Sequence, residues 1–240
     1  MKSKEIDSFR KEFMNVLGKF NQSKNPSEIW RDFIVLSACC ISNSIMGADN
    51  EREKLYLRII KRYSESDSNL FPKLLAILVL ALEENPEQDF LGEIFQSELK
   101  MGNVRTGQFF TPYNISRFIA EVECGNIESE IEKAGYISAN DPTCGSGGML
   151  IAFANAAKNR GINYQQSVLF VAQDIDFVVA MMCYIQLSLL GCAGYVIVGN
   201  SLTNTNPEED DIWYTPFYFN DIWKTRRFNE SLKRKGLKGA

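Results

Sequence analysis

The hydrophobic pattern of this chain changes shortly after residue 100, and that change limits the folds open to it. In the first part, apolar residues such as Phe9, Phe13 and Val16 recur at helical spacing. In the second part, short apolar runs alternate with helical stretches, which is typical of a parallel sheet with helices on both faces. We therefore predict an all-helical domain over residues 1–100 and an α/β domain over residues 101–240.

The α/β domain is predicted to contain one sheet of neighbouring strands, because right-handed crossovers bring successive parallel strands side by side. The predicted strands cover residues 136–140, 167–173, 195–198 and 212–214, with helices over 113–122, 148–159 and 177–190. Few residues follow Pro216, so we expect a truncated parallel sheet whose fourth strand is an exposed edge. Exposed edges invite pairing. We expect the basic C-terminal tail, a homodimer contact or a partner subunit to cover this one.

The composition excludes several kinds of active site. The chain contains no histidine, which excludes Ser-His and Cys-His nucleophiles, a histidine general base and a histidine-ligated metal. We expect no metal site. The six cysteines form no CxxC pair, so we interpret them as free thiols in a reducing compartment. Residues 1–5 carry no apolar segment of a signal or an anchor. We expect a cytoplasmic protein that does not associate with a membrane.

The charge distribution bears on nucleic-acid binding. The formal net charge is -4, so the overall field repels phosphate weakly. Basic side chains crowd residues 224–238, where they could bind phosphates or form a solvated tail. Charge runs of this kind favour the solvated tail. Any contact with nucleic acid is therefore expected to depend on a local basic patch or on a partner.

A glycine-rich segment lies where the first predicted strand gives way to a helix, from Asp141 to Gly148. Doubly wound sheets open a ligand crevice at this position. Gly145 and Gly147 allow a ligand to approach the backbone, and the Asp141 carboxylate can accept a hydrogen bond from a ligand ammonium group. No lysine follows the glycines, which disfavours a P-loop. An ordinary glycine turn is the alternative for such a segment taken alone.

Other polar residues are expected at the same crevice. Asp174 follows the second predicted strand, where an acid receives ribose hydroxyls, and Asp176 is interpreted as the N-cap of the next helix. Asn200 follows the third strand and can hydrogen-bond an adenine edge. Thr111 precedes a predicted helix, and its hydroxyl and the free amide groups of a helix N-terminus suit a carboxylate.

The order of four segments, GQFFTP, DPTCGSGG, QDID and GNSL, resembles that of the N-6 adenine DNA methylases, which include the modification subunits of type I restriction systems. The resemblance covers roughly residues 89–202. It implies a Rossmann-like methyltransferase core with S-adenosylmethionine as cofactor, the methionine end beside Phe109 and Thr111 and the ribose on Asp174. The cofactor-binding residues that it implies are Phe109, Thr111, Asp141, Pro142, Gly145, Gly147, Asp174, Ile175 and Asn200.

The same family carries an Asn-Pro-Pro-Tyr or Asn-Pro-Pro-Phe tetrapeptide after the fourth strand, and this sequence has none at that position. In the tetrapeptide, the asparagine orients the target amine and the aromatic ring stacks on the flipped base. Thr215, Pro216 and Phe217 stand at about the expected position, so they are the candidate catalytic residues of a degenerate motif. Asn206-Pro207 is a weaker candidate because four acidic residues follow it.

Three functions stay open at this point. The first is an adenine-specific DNA methyltransferase, or a subunit of one, that contacts DNA itself or through a specificity or restriction subunit. The second is a catalytically impaired pseudo-methyltransferase that binds the cofactor as a regulatory or interaction module, and the missing tetrapeptide favours it. The third is a methyltransferase for a protein or a small molecule, which the acidic net charge supports and the GQFFTP segment opposes.

Overall fold

A computed structural model describes most of the chain. The described residues are 2–21, 24–47, 50–101, 110–203, 207–208 and 211–234. The N-terminal part is helical, as its periodicity predicts, and several helices begin at a side chain that satisfies free N–H groups. Asn25 Oδ1 accepts from Ser27 N–H at 2.9 Å, and Asn50 Oδ1 accepts from Arg52 N–H at 2.8 Å. The helices are α1 (Lys2–Leu17), α2 (Pro26–Met46), α3 (Glu51–Ile60), α4 (Glu65–Ser68), α5 (Phe71–Glu84) and α6 (Phe90–Glu93), which a π-helical turn (Ile94–Glu98) extends.

Helix α2 lies at the centre of the helical part. Its Trp30 and Phe33 are fully buried, and both rings contact the ring of Phe13 in α1. By length and composition α2 would suffice to cross a membrane, but 61% of its most apolar window is buried inside the protein. Packing in the core therefore accounts for the hydrophobicity of this helix.

The helical part and the sheet share one hydrophobic core. The cluster of buried apolar residues extends from Phe13 in α1 to Trp213 in the last strand of the sheet. Helix α2 packs on α11 (Phe177–Leu189), a helix of the α/β part. The division at residues 100 and 101 stays a prediction, and the shared core ties the two parts together.

The second part alternates strands and helices, with bounds within a residue or two of the predicted ones. The strands are β1 (Ile137–Asp141), β2 (Val168–Asp174), β3 (Gly194–Val198) and β4 (Ile212–Tyr214). The helices are α7 (Tyr113–Glu123), α8 (Ile127–Ala134), α9 (Gly148–Asn159), α10 (Tyr164–Ser167), α11 (Phe177–Leu189) and α12 (Asp221–Arg234).

The sheet has the order β1-β2-β3-β4. The first three strands are parallel, with Ile137 opposite Val168 and Phe170 opposite Gly194, and the predicted α/β class is confirmed. Strand β4 is antiparallel to β3, so the expectation of a wholly parallel sheet is wrong at this strand. A parallel neighbour needs a crossover connection, which is usually a helix, and the described residues of this connection, 199–203, 207–208 and 211, contain no α-helix.

The fourth strand lies at an edge of the sheet, as the sequence predicts, but it is partly covered. Arg52 of α3 donates to the Ile212 carbonyl at 2.7 Å, and its guanidinium lies 4.0 Å from the centre of the Trp213 ring. Trp213 is buried. Helix α3 of the helical part therefore covers part of β4.

Part of the basic C-terminal segment packs on the fold instead of forming a solvated tail, although Lys224 is exposed. In α12, Trp223 Nε1 donates to the Gln165 carbonyl at 2.8 Å, and Arg226 donates to the Gly135 carbonyl at 2.8 Å. These partners precede β2 and β1, so α12 packs across the amino ends of the first two strands. Lys235 and Lys238 lie outside the described residues.

Candidate functional site

The loop between β1 and α9 begins at a carboxylate and contains two glycines with left-handed backbones. Asp141 Oδ1 accepts from Thr143 N–H at 3.1 Å. Gly145 has φ +55°, and a Cβ there would lie 3.0 Å from the ring of Phe110. Gly147 has φ +95°, and a Cβ there would lie 2.9 Å from Cys183 Sγ. Both positions require glycine for conformation and for space, so the loop backbone packs closely against Phe110 and Cys183.

Asp174 ties this loop to the end of β2. Its Oδ2 accepts from Gly145 N–H at 3.0 Å, and its Oδ1 accepts from Asp176 N–H at 2.9 Å. Each carboxylate oxygen keeps a further lone pair for a ligand donor. Burial raises the pKa of Asp174, although the two backbone N–H groups act in the opposite direction. Asp176 caps α11 by accepting from Val178 N–H at 2.9 Å, as predicted from the sequence.

The two acids at this end of the sheet belong to neighbouring strands. Burial raises the pKa of Asp141, and the charge of Asp174 raises it further. Both groups are only partly buried. Partly buried carboxylates at the carboxyl end of a sheet favour a ligand that carries a cationic group and hydroxyl donors.

Thr111 joins the same site from a separate segment. It lines a cleft of about 570 Å³ together with Asp141 and Thr143. The preceding Phe110 stacks on Phe95, with ring centres 5.5 Å apart, and covers Gly145. The predicted contact residue Phe109 lies outside the described residues.

The remaining predicted contacts flank the two acids. Pro142 is exposed at the start of the glycine loop, and Ile175 is 70% exposed directly after Asp174. An exposed apolar side chain at a polar strand end offers a surface for a flat ring. Asn200 follows β3, and its Oδ1 already accepts from Leu202 N–H at 2.9 Å. Its amide nitrogen is therefore the group that would meet a ligand.

Sequence reasoning missed a buried network beneath the glycine loop. Asp89, at the start of α6, accepts from Gly92 N–H at 2.9 Å, from Gln186 Nε2 at 2.8 Å and from the Ser146 hydroxyl. Gln186 Nε2 also donates to the Ser146 carbonyl at 2.9 Å. Burial raises the pKa of Asp89, against the effect of these hydrogen bonds. The sequence signals only the N-cap, and nothing in it points to Ser146 or Gln186.

Thr215, Pro216 and Phe217 lie at the opposite end of the sheet, in contrast to the expectation. The Thr215 hydroxyl donates to the Cys192 carbonyl at 2.7 Å and accepts from Gly194 N–H at 3.0 Å. Phe217 packs at Gly191, again before β3. A five-residue strand at a rise of about 3.3 Å per residue separates this end from the carboxyl end by about 13 Å. The reason is the reversed direction of β4, which carries the segment away from Asp174.

The sequence predicts no metal site. No group of three or more metal-ligating side chains occurs among the described residues. All six cysteines are described as free thiols.

The fold and this site define a class of protein. Three parallel strands, a glycine loop after the first and acids at the ends of the first and second are the features of a doubly wound sheet that binds a nucleotide-containing ligand at its carboxyl end. The family model of the N-6 DNA methylases matches residues 87–237, which is more than half of the chain. The chain belongs to the N-6 DNA methylase family.

Solved structures with distant similarity to this chain include two methyltransferases. One is a protein from Listeria monocytogenes assigned to the class I S-adenosylmethionine-dependent methyltransferases, with 17% identity and a TM-score of 0.44, over 75% of this chain and 55% of that one. Another is the methyltransferase subunit of a type I restriction-modification system from Streptococcus thermophilus, with 12% identity and a TM-score of 0.42, over 88% of this chain and 61% of that one. The chain thus spans less than two thirds of either structure. No curated protein matches it in sequence.

Proposed function

We propose that this chain binds S-adenosylmethionine at the carboxyl end of its sheet and serves as the cofactor-binding subunit of an adenine-N6 DNA methyltransferase in a restriction-modification system. The observation that carries the proposal is the Asp174 carboxylate, which holds the glycine loop through Gly145 N–H beside a second acid, Asp141. The family assignment supports the choice of cofactor and of nucleic acid as substrate.

The residues present fit the cofactor. Asp141 would accept from the ammonium group of the methionine part, and Asp174 would accept from the ribose hydroxyls. Ile175 offers an apolar face to the adenine ring, and Thr111 borders the methionine end. When bound, S-adenosylmethionine supplies an electrophilic methyl group.

The chain would need a group from another subunit to orient a target amine. Thr215, which stands in place of the orienting asparagine, is about a strand's length away from Asp174. The net charge of -4 gives no general attraction for DNA. We therefore assign DNA recognition, and the residues that orient the target base, to a specificity or restriction subunit. We place the complex in the cytoplasm, where free thiols persist.

A catalytically impaired S-adenosylmethionine-binding module is the second candidate. The position of Thr215 at the amino end of the sheet favours it, because proximity of an orienting group supplies much of the rate in such a transfer. Both candidates require the same cofactor site, and they differ in turnover.

A transfer assay separates the two candidates. The purified chain would be incubated with tritiated S-adenosylmethionine and mixed-sequence DNA, alone and with the subunits encoded beside it. Binding of cofactor with methyl transfer only in the presence of the subunits would support the proposal. Cofactor binding without transfer in either mixture would favour the impaired module, and no cofactor binding would contradict both.

A further inference from the structure

Strand β1 is the open edge of the sheet. Within the described residues, it pairs with β2 on one side and with no strand on the other. Its side chains alternate between half-buried and exposed, whereas the alternate side chains of β2 are fully buried. An edge strand presents unpaired N–H and C=O groups that can bind another strand.

A cleft follows this edge along its whole length. The cleft of about 570 Å³ is lined by Ile137 at the start of β1 and by Asp141 at its end. Apolar side chains from the flanking helices, among them Ile119 of α7 and Phe153 of α9, form part of its wall. Ile137 lies about 13 Å from Asp141 at the rise of a strand. Most of the cleft therefore runs along β1 toward its amino end, away from the carboxyl end that the proposed cofactor site uses.

Helix α7 adds an exposed apolar stripe beside the cleft. Ile115, Phe118 and Val122 are 46%, 71% and 64% exposed. They recur at helical spacing and adjoin Ile119, which lines the cleft. Exposed apolar side chains that are grouped in this way mark an interaction surface more often than scattered ones do.

The charges of the cleft indicate what binds there. Its lining includes Glu123, Glu130 and Asp141 and contains no lysine or arginine. Such a lining repels phosphate, which argues against a nucleic-acid backbone. Two-fold pairing of β1 with β1 of a second copy would bring two acidic clefts, neither of them lined by a lysine or arginine, into one interface. We propose that the outer edge of β1 binds an extended, lysine- or arginine-rich segment of a different polypeptide, which adds a strand to the sheet.

The surface shares Asp141 and Thr111 with the proposed cofactor site, but strand addition requires no bound cofactor because it uses the β1 backbone and the acidic, apolar cleft. Main-chain hydrogen bonds would supply affinity, and the pockets for alternate side chains would supply selectivity. A strand that docks along β1 would reach the end of the cleft beside Asp141 and Thr111.

The test uses a synthetic peptide of about eight residues, the length of an ordinary strand, in which valine alternates with lysine. Binding to the full chain would be measured by calorimetry without S-adenosylmethionine. Two control peptides carry either methyl groups on all backbone nitrogens or glutamate in place of lysine. We expect each control to bind at least about tenfold more weakly, because it loses several hydrogen bonds or the charge attraction.

Protein variants locate the contact. Phe118→Asp should weaken binding of the lysine peptide, while the matched control Leu80→Asp, an exposed leucine on α5, should not. The double change Glu123→Lys with Glu130→Lys should reverse the preference in favour of the glutamate peptide. All of these side chains are exposed, so the variants are expected to fold.

Several outcomes would overturn the proposal. They are no binding of the lysine peptide, equal binding of the methylated peptide, and a charge preference that the double change does not alter. A dimer in analytical ultracentrifugation that Phe118→Asp dissociates would also overturn it, in favour of self-pairing.

Discussion

The two ends of the same sheet use polar side chains in different ways. At the carboxyl end, Asp141 and Asp174 are partly buried, and their oxygens keep lone pairs beyond the backbone N–H groups that they accept. At the amino end, Thr215 is fully buried, and its hydroxyl contacts the Cys192 carbonyl and both backbone groups of Gly194. The first arrangement leaves bonding capacity for a ligand, while the second uses it within the fold.

The sequence presents Asp141, Asp174 and Thr215 alike as candidate site residues. Their surroundings indicate a binding role for the two acids and a structural role for Thr215. A variant at the carboxyl end should change ligand affinity more than stability. A variant at the amino end should do the reverse. The predictions below test that contrast, and Asp89, which links the helical part to the glycine loop, should affect both properties.

Asp89→Ala should have the largest effect. It leaves Gly92 N–H, the Ser146 hydroxyl and the Gln186 amide without their buried partner, so we expect a loss of about 3 kcal/mol in the free energy of unfolding. Urea denaturation would measure it. Asp89→Asn retains an acceptor and should lose less. An unchanged unfolding midpoint in Asp89→Ala would contradict the network.

Asp174→Ala should come next, with its main effect on affinity. Loss of a charged acceptor costs about 2 kcal/mol, so the Kd for S-adenosylmethionine should rise about 30-fold. Isothermal titration calorimetry would measure it. Asp221→Ala, an exposed acid on α12, is the matched control and should bind as the wild type does. Equal affinities of Asp174→Ala and the control would exclude Asp174 from the site.

Thr215→Val should affect stability alone. Valine keeps the shape of threonine but leaves Gly194 N–H without the hydroxyl acceptor, for an expected loss of about 1.5 kcal/mol. Thermal denaturation would show the loss, while the Kd for S-adenosylmethionine should stay within about twofold of the wild type. A large rise in Kd at wild-type stability would return Thr215 to the binding site.

The pH dependence should be the smallest effect, with opposite signs for affinity and stability. Burial raises the pKa of Asp174 above its ordinary value of 3.8, so the folded protein takes up this proton at a higher pH than the unfolded chain. The contribution of Asp174 to stability is therefore favourable at low pH and is lost as the pH rises through the folded-state pKa.

Affinity should instead fall as the pH drops to that pKa, by up to about twofold, because half of the acid is then protonated and is a weaker acceptor. Calorimetry at neutral and mildly acidic pH would measure the change, and Asp174→Asn should lack this dependence. An affinity in the wild type that does not change with pH would count against a carboxylate contact.

The local features of this fold could be predicted from sequence, because they depend on neighbouring residues. The strand ends at Asp141 and Asp174 follow from alternating patterns and from glycine and N-cap signals within a few residues. The direction of β4 could not be predicted in this way. A three-residue strand carries no sign of its direction, and the partners that fix it, Arg52 and Gly194, lie far away in the sequence.

The hydrogen-bond network of Asp89 could not be predicted from local sequence either. Its members Asp89, Ser146 and Gln186 come from three separate elements, and each has an ordinary local explanation. The predicted order of neighbouring strands is confirmed, and β1 lies at the other edge of the sheet from β4.

The most direct test of the account is the location of bound cofactor along the chain. Tritiated S-adenosylmethionine would be photo-crosslinked to the full chain, with unlabelled cofactor as competitor, and the labelled peptides would be sequenced. The account predicts saturable label in peptides that contain Asp141 to Gly148 or Asp174 to Asp176. Label confined to the peptide that contains Thr215 to Phe219, or label that the competitor does not displace, would contradict it.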